Sequence, residues 1–236
     1  FELVMAKKQQ PVDQTEEQMQ AVEQALTRSE QFIEKNRNKL STVLLVVVAI
    51  AAAYYGYLKF IKQPQMEEAA SEMFVAEQLF EAGDYDQALN GDGQNLGFLD
   101  ILDNYSGTPA GNLAHYYAGL AYLNLGQYAE AIEHLDQFST SDEMLQPVRL
   151  GAIGDAFAQL QQPEEALEYY TKAYQAKTND FTTPIYLNKA ALMQEELGDY
   201  GSAAKLYKRL TEDFPETNEG REAVKSLERV SNMAQA

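Results

Sequence analysis

The chain lacks the residue types from which most catalytic and metal sites are built. It has no Cys and no Trp, and only two His among its 236 residues. The absence of Cys excludes disulfides, thiolate nucleophiles and paired-cysteine zinc sites. It does not identify the redox compartment, because a chain without thiols suits oxidising and reducing surroundings equally well. The compartment must therefore be inferred from other features.

Catalytic motifs are missing as well. The sequence contains no phosphate-binding loop, no His-Glu-x-x-His zinc motif and no Gly-x-Ser-x-Gly nucleophile motif. Adjacent acidic residues such as Glu164 and Glu165 are typical of exposed helix positions. His115 and His134 fall on the two helices predicted for one repeat, where no third metal ligand accompanies them, so we interpret them as structural. These absences predict a protein that is not an enzyme and has no cofactor, metal or small-molecule substrate.

Positive charge is scarce and unevenly distributed. The net charge is −18, and residues 1–62 carry 8 Lys and Arg against 7 Asp and Glu, whereas residues 63–236 carry 10 against 29. Such an acidic region is repelled by nucleic acid and by anionic lipid headgroups. We therefore expect no nucleic-acid partner. The acidic residues form either a solvent-exposed surface that keeps the domain soluble or a surface that captures basic ligands.

A strongly apolar segment of 19 residues runs from Leu40 to Leu58 without a charged side chain. At about 1.5 Å per residue, a helix of this length nearly covers a hydrocarbon core of about 30 Å. Lys59 and Lys62 can reach outward to the interface and so extend the span, and the aromatic residues between positions 54 and 60 suit a membrane boundary. The segment predicts a transmembrane helix over 40–62.

The positive charges that flank this span are unequal. Four lie on its N-terminal side and two on its C-terminal side: Arg28, Lys35, Arg37 and Lys39 against Lys59 and Lys62. This asymmetry predicts a cytoplasmic N-terminus and an acidic region on the outer side of the membrane. A cleaved signal peptide is the alternative, but more than thirty residues of mixed charge precede the apolar segment, far more than an ordinary n-region contains. An uncleaved anchor is favoured.

Residues 1–39 are predicted to form a cytoplasmic head. Phe1–Val4 precede Met5, and Met5–Lys8 resemble a natural start. Asp13 and Glu16 resemble a capping box at a helix start, and apolar residues at helical spacing then mark one face: Met19, Val22, Leu26 and Ile33. The pattern predicts an amphipathic helix. Its apolar face is either part of a solvated helix that runs into the span or a short docking or coiled-coil seam.

A fixed spacing recurs four times after the span. One turn-forming or polar residue precedes an alanine by five places in each of four pairs: Gly83 and Ala88, Gly126 and Ala131, Gln161 and Ala166, Gly198 and Ala203. The intervals between successive markers are 43, 35 and 37 residues. Periods of 20–50 residues indicate stacked supersecondary units. The sequence therefore predicts an α-solenoid rather than a compact enzyme core.

The repeats resemble tetratricopeptide repeats, which are helix–turn–helix units of about 34 residues. Small residues occupy the middle of each first helix and face alanines on the second: Gly119, Gly154 and Ala191 against Ala131, Ala166 and Ala203. The resemblance implies an all-α chain with an N-terminal amphipathic helix, a single transmembrane helix and about four helix pairs. The pairs are expected near 69–105, 112–141, 147–180 and 184–217 within a domain 63–217, followed by a capping helix 218–236.

Two segments are expected to interrupt helical structure. Pro64 follows Gln63 and should end the helix that leaves the membrane, because proline lacks an amide donor and restricts the preceding residue. The segment 90–95 is rich in Asn, Gly and Asp and should form a loop inside the first repeat. That loop is either a tolerated insertion or a functional loop that faces a partner or the membrane.

The resemblance also implies a peptide-binding groove lined by first helices. The matching positions here are Tyr116, Leu120, Leu123, Asn124, Gly151, Asp155, Gln159, Asn188, Leu192 and Glu195. This set contains no Lys or Arg, so the clamping of acidic C-termini seen in some tetratricopeptide domains is disfavoured, since a carboxylate needs charged donors. An apolar or mildly basic segment is the expected ligand.

The layout of head, span and outward repeat domain resembles the ancillary subunits of the bacterial Sec translocon. That resemblance implies a single-pass protein of the bacterial inner membrane with periplasmic repeats. It further implies an accessory, chaperone-like role in protein export, with translocon subunits, chaperones or emerging client chains as partners. The alternative is a structural scaffold that bridges cell-envelope or division machinery through the same repeats.

Overall fold

The computed structural model describes residues 13–235, except for the side chains of 13–18, 20–22, 24–25 and 28–29. Every regular element in the described range is helical. The chain divides into two units, Phe1–Lys62 and Gln63–Ala236. The predicted all-α class is thus confirmed for the described residues.

The first unit contains one long helix, α1, at Asp13–Tyr57, followed by a π-helical turn at Leu58–Lys62. Residues 13–55 contain neither Gly nor Pro, so nothing in this stretch interrupts the hydrogen-bond ladder. Residues 13–39 of the predicted head and residues 40–57 of the apolar segment therefore form a single helix. Its side chains from Leu40 to Leu58 are exposed apart from half-buried Gly56. The one candidate span among the described residues lies in the helical segment Glu30–Ala82.

The predicted apolar face of the head is only partly described. Met19, Leu26 and Ile33 are each more than half exposed. The side chain of Val22 lies outside the described residues, as do those of the predicted Asp13 and Glu16 capping box. Both interpretations of this apolar face, a solvated helix and a docking or coiled-coil seam, stay predictions.

The expected break at Gln63 and Pro64 is wrong. Helix α2 begins at Gln63, directly after the π-helical turn, and runs to Ala82 with Pro64 as its second residue. Proline has no N–H to donate to the turn before it, so a helix that continues through Pro64 needs a local adjustment of that turn. The preceding π-helical turn, with its i→i+5 pattern, is the local adjustment that accompanies this proline.

Within the described residues, the second unit consists of α2 and nine further helices. They are α3 at Tyr85–Asn90, α4 at Phe98–Tyr105, α5 at Pro109–Asn124, α6 at Tyr128–Gln137, α7 at Leu145–Gln159, α8 at Pro163–Ala176, α9 at Thr182–Glu196, α10 at Tyr200–Asp213 and α11 at Asn218–Met233. The pairs α5/α6, α7/α8 and α9/α10 are antiparallel neighbours, and α11 packs on α9 and α10. The capping helix predicted over 218–236 corresponds to α11.

The first repeat has a divided second helix. Its first helix is α2, and α3 and α4 together replace a single partner because the segment 91–97 separates them. Within that segment the Asp92 carboxylate accepts hydrogen bonds from the N–H groups of Gln94 and Asn95, at 2.8 and 2.7 Å. The expected loop is therefore present and is held by its own side chain. Its role as insertion or functional loop stays a prediction.

Close packing within each pair depends on the small residues of the repeat pattern. A Cβ atom on Gly119 would lie 2.6 Å from Leu135 Cγ, and one on Gly154 would lie 2.7 Å from the Tyr170 ring. Ala131 and its equivalents in the next two repeats are fully buried. The prediction that small residues let the paired helices approach is confirmed.

The first helices form the inner layer of the solenoid. Each first helix approaches the next one along the series α2, α5, α7, α9 and α11. Second helices α6, α8 and α10 do not approach one another anywhere in the described range, although each contacts the first helix that follows it. A layer whose members lie closer together is the concave side of a stack. The first helices that carry the predicted groove positions therefore form the concave face.

Candidate protein-binding groove

An open cleft of about 420 Å³ lies on the second to fourth repeats. Its lining combines residues from α5 to α9: Leu123, Tyr128, Asp155, Ala158, Gln159, Tyr170 and Lys189. Three of these, Leu123, Asp155 and Gln159, belong to the set predicted from the repeat pattern. We call this region the central cleft. It brings an apolar wall, hydroxyl groups and an ion pair to one surface.

A carboxylate, a tyrosine and a lysine meet at the centre of this cleft. Asp155 Oδ1 accepts hydrogen bonds from the Tyr170 hydroxyl at 2.7 Å and from Lys189 Nζ at 2.5 Å. The ammonium also lies 5.6 Å from the Tyr170 ring centroid and 5.9 Å from that of Tyr186. Burial and the bond to Asp155 raise the pKa of Tyr170, so its hydroxyl stays a hydrogen-bond donor.

A similar set of three groups lies in the next repeat, with the acid three residues before the turn residue Gly198 instead of six. Glu195 accepts from the Tyr207 hydroxyl at 2.6 Å and from Arg229, whose Nη2 lies 2.9 Å from Glu195 Oε1. A second guanidinium nitrogen, Nη1, binds the other carboxylate oxygen. Burial acts to raise the pKa of Glu195, but the hydrogen bonds from Arg229 and Tyr207 outweigh it and hold the pKa below its usual value.

Both arrangements join positions separated by one repeat length. Lys189 follows Asp155 by 34 residues and Arg229 follows Glu195 by 34 residues. The sequence prediction missed Tyr128 and Tyr170 because it considered only positions on first helices. It missed both cations because their roles depend on an acid on the preceding first helix. An acid followed by a base at one repeat length was the available signal. We call the two sets, Asp155–Tyr170–Lys189 and Glu195–Tyr207–Arg229, the inter-repeat triads.

The expectation of a groove without basic residues is therefore wrong. Lys189 lines the central cleft although it is absent from the predicted set. It lies one position after predicted Asn188 and reaches back to Asp155 on the preceding first helix. The ammonium is already ion-paired, so the cleft presents a neutral pair rather than a free cation. Clamping of an acidic C-terminus stays disfavoured for this reason.

Several predicted groove residues have packing roles. The Tyr116 ring contacts those of Tyr117 and Phe138, with centroids 5.6 and 5.1 Å apart. Asn124 Nδ2 donates to the Leu120 carbonyl at 2.8 Å, within its own helix. None of these residues lines the central cleft as the structure describes it.

The remaining predicted residues differ in exposure. The Tyr186 ring covers Gly151, since a Cβ atom there would lie 1.9 Å from the ring. Asn188 is half-buried, and Leu192 is 45% exposed on α9. The groove assignment of Gly151 is thus wrong, because no side chain fits between α7 and that ring. Leu192 remains available on the concave layer.

The two histidines form a pair, as their placement on α5 and α6 suggested. His115 Nδ1 and His134 Nδ1 lie 3.2 Å apart, and the Tyr122 ring stacks on His134 with centroids 5.3 Å apart. Burial lowers the pKa of both imidazoles. Among the side chains that the structure describes, no group of three or more His, Asp or Glu is placed to hold a metal ion.

The repeat segments match family models of the tetratricopeptide repeat. The matches cover residues 98–142, 150–180 and 187–217. These segments contain α4 to α6, then most of α7 with α8, then most of α9 with α10. The chain therefore carries tetratricopeptide repeats, which generally mediate protein–protein interactions and are typically non-enzymatic scaffolds.

Solved structures show the same fold. A crystal structure of MamA protein is 17% identical, with a TM-score of 0.53, and the match covers 72% of this chain and 93% of that one. A kinesin-light-chain-type array of nearly identical TPR-like repeats from Podospora anserina is 17% identical, with a TM-score of 0.54 and coverage of 71% and 87%. No curated protein sequence matches the chain significantly. At this level of identity the likeness concerns the fold alone.

Proposed function

We propose that this chain is a membrane-anchored protein-binding module that assists protein export at a bacterial translocon. One helix holds it in the inner membrane with its N-terminus in the cytoplasm, and the repeats capture protein segments on the periplasmic side. The observation that carries the proposal is the open central cleft on the concave layer of a tetratricopeptide array. Its apolar wall and paired ions suit a passing polypeptide rather than a small metabolite.

The anchor and the charge distribution support this setting. The candidate span lies in the helical segment Glu30–Ala82, and Lys and Arg are more numerous on the N-terminal side of the apolar residues 40–58. The acidic repeat unit is repelled by anionic headgroups, which favours standing clear of the membrane surface over lying on it. A module in that position meets chains as they leave a membrane channel.

Site-specific photo-crosslinking in intact cells tests the proposal. A photoreactive residue is placed at Gln159, which is exposed in the central cleft, and a matched one at Glu165, which is exposed on the second-helix side. We expect Gln159 adducts with translocon channel subunits and a ladder of secreted chains, and few adducts from Glu165. Equal or absent adducts at the two positions would contradict a binding cleft.

The inter-repeat triads favour a second candidate, a structural scaffold for envelope or division complexes. In each triad the tyrosine binds the acid within one helix pair, and the cation, Lys189 or Arg229, binds it from the next first helix. The cations therefore fix successive first helices to one another, and a rigid array suits one constant, folded partner. The same crosslinking separates the two functions. A single discrete adduct of an envelope or division protein, without a ladder, supports the scaffold over the export accessory.

A further inference from the structure

The groove continues into the first repeat with a different set of side chains. Leu120 and Leu123 lie six and three residues before the turn residue Gly126. The same counts back from Gly83 lead to Glu77 and Phe80 on α2, and the position of Asn124 corresponds to Glu81. The first-repeat end of the concave layer therefore presents two carboxylates where the second repeat presents leucine and asparagine.

Aromatic rings surround these carboxylates. The Phe80 centroid lies 5.3 Å from that of Tyr85 and 5.3 Å from that of Tyr117, and all three rings are partly exposed. Glu77 and Glu81 lie three residues before and one residue after Phe80 on α2. Burial raises the pKa of Tyr117, and the charges of Glu77 and Glu81 raise it further. We call Glu77, Glu81 and these three rings the acidic–aromatic end of the groove.

Among the described residues of the second unit, no ion pair includes Glu77 or Glu81. Residues 63–148 contain no Lys or Arg, and the ion pairs found among the described residues all lie between positions 143 and 229. Burial and the neighbouring Glu81 raise the pKa of Glu77, which is half-buried. The carboxylates Asp155 and Glu195, on later first helices of the same concave layer, each hold a cation from one repeat further on. Glu77 occupies the repeat position of Asp155, six residues before the turn residue, and the first and second repeats have no Lys or Arg to pair with it.

We propose that the acidic–aromatic end binds the Lys or Arg side chain of a captured protein segment. The ligand supplies the cation that the chain itself supplies in the later repeats, with the carboxylates of Glu77 and Glu81 as charged acceptors and the rings as cation–π faces. The proposal rests on the proposed groove function and adds the chemistry of the ligand. The proposal also sets the direction of the bound segment along the groove. Its cationic residue lies at the α2 end, and its apolar residues contact Leu123 and the central cleft.

The test uses the full chain in neutral detergent and two fluorescent 12-residue peptides of Gly, Ser and Leu. One peptide carries two lysines, and the other carries two glutamines in their place. Fluorescence anisotropy measures both affinities for the wild type, for the double variant Glu77→Gln/Glu81→Gln, and for the control Glu130→Gln/Glu133→Gln. The control removes the same net charge from exposed positions on α6, on the second-helix side. We expect the first double variant to weaken lysine-peptide binding about tenfold and the control less than about twofold.

Each result separates the cation site from the groove itself. If the two double variants weaken lysine-peptide binding equally, only the overall electrostatic field of the acidic chain attracts the peptide. That result overturns the cation site and leaves the groove function standing. Equal affinity of the wild type for the two peptides has the same consequence. Absence of binding by either peptide overturns both. Phe80→Leu should weaken only the lysine peptide, by a few-fold, because it removes a ring and retains apolar bulk.

Discussion

Turns within the helix pairs depend on one residue in the left-handed conformation. Gly83, Gly126 and Gly198 have φ values of 85°, 76° and 78°, and Gln161 takes φ 58° at the equivalent position. A side chain in this region costs about 1–2 kcal/mol. The turn residue that marks each repeat in the sequence must therefore adopt a left-handed backbone conformation. Gln161 adopts it with a side chain, at a cost in the free energy of folding.

Gly198→Ala tests this requirement without a packing complication. A Cβ atom at Gly198 meets no atom within 4 Å, so backbone strain is the whole effect. We expect the free energy of unfolding to fall by about 1 kcal/mol, measured by urea denaturation followed by far-UV circular dichroism.

Gly201→Ala is the matched control, three residues later on α10. Its φ is not left-handed and its new Cβ atom would lie 3.6 Å from Asp199 Oδ1, an ordinary contact. We expect no loss, or a gain of up to about 1 kcal/mol from helix propensity. Gln161→Gly should also gain stability. Similar losses from both glycine replacements would refute the role of the turn conformation.

The His115–His134 pair makes the second repeat sensitive to mild acid. Burial lowers the pKa of both rings below the ordinary value of about 6.5. The unfolded chain then binds more protons than the folded chain as the pH falls through about 6.5, so stability decreases towards pH 5. We expect a loss of less than about 1 kcal/mol, since solvent screens these half-buried rings.

Urea titrations at pH 7 and pH 5 measure this effect. The variant His115→Gln/His134→Gln should show a smaller fall in the free energy of unfolding between the two pH values than the wild type. The carboxylates are common to both proteins, so their contribution cancels in the comparison. An identical fall in the free energy of unfolding of the two proteins would show that folding does not change the pKa of the two histidines.

At the scale of elements, the inter-repeat triads hold successive first helices in register. The Asp155–Lys189 pair is partly buried, with side-chain exposures of 36% and 34%. A double-mutant cycle with Asp155→Asn and Lys189→Met should give a coupling energy of about 0.5–1 kcal/mol. Thermal or urea unfolding of the four proteins provides the measurement.

The Glu143–Lys177 pair is the control for this cycle. It also spans 34 residues, with a 2.7 Å contact, but its side chains are 67% and 50% exposed. A cycle with Glu143→Gln and Lys177→Met should give a coupling close to zero, because water screens the charges. Comparable coupling in both cycles would mean that burial in the groove does not strengthen the triad.

The helix pairs were predictable because their cause is local. Gly119, Gly154 and the turn glycines each satisfy a requirement within one repeat, and such requirements leave a periodic mark in the sequence. The continuity of helix through Pro64 was not predictable. The expectation that proline ends a helix takes no account of a π-helical turn directly before it, such as the one at Leu58–Lys62. Lys189 was missed for a different reason. Its role depends on an acid in the preceding repeat, which a helix-by-helix reading does not compare.

At the scale of the whole molecule, the absence of Cys gives a direct test of the proposed topology. A single cysteine at Ser141→Cys, exposed in the repeat unit, should react with a membrane-impermeant maleimide once the outer membrane is permeabilised. One at Thr27→Cys, exposed on α1, should react only after the inner membrane is opened. The expectation follows from the unequal flanking charges. Reactivity is measured by the mass shift of the labelled chain.

The wild type is the control for this experiment, since it has no thiol to label. The reversed pattern, with Thr27→Cys labelled first, would place the repeats in the cytoplasm and remove the export setting. Labelling of both positions before the inner membrane is opened would contradict a single span between them.

The stretch without Lys or Arg, 63–148, has a consequence for proteolysis. Trypsin cuts after these two residues, so it has no site between Lys62 and Arg149 even in a fully unfolded chain. A trypsin-resistant fragment containing the first repeat therefore reports neither folding nor shielding by a membrane or a partner. A protease that cuts after glutamate finds sites along α2, and its access to Glu77 and Glu81 changes when a ligand covers that end of the groove.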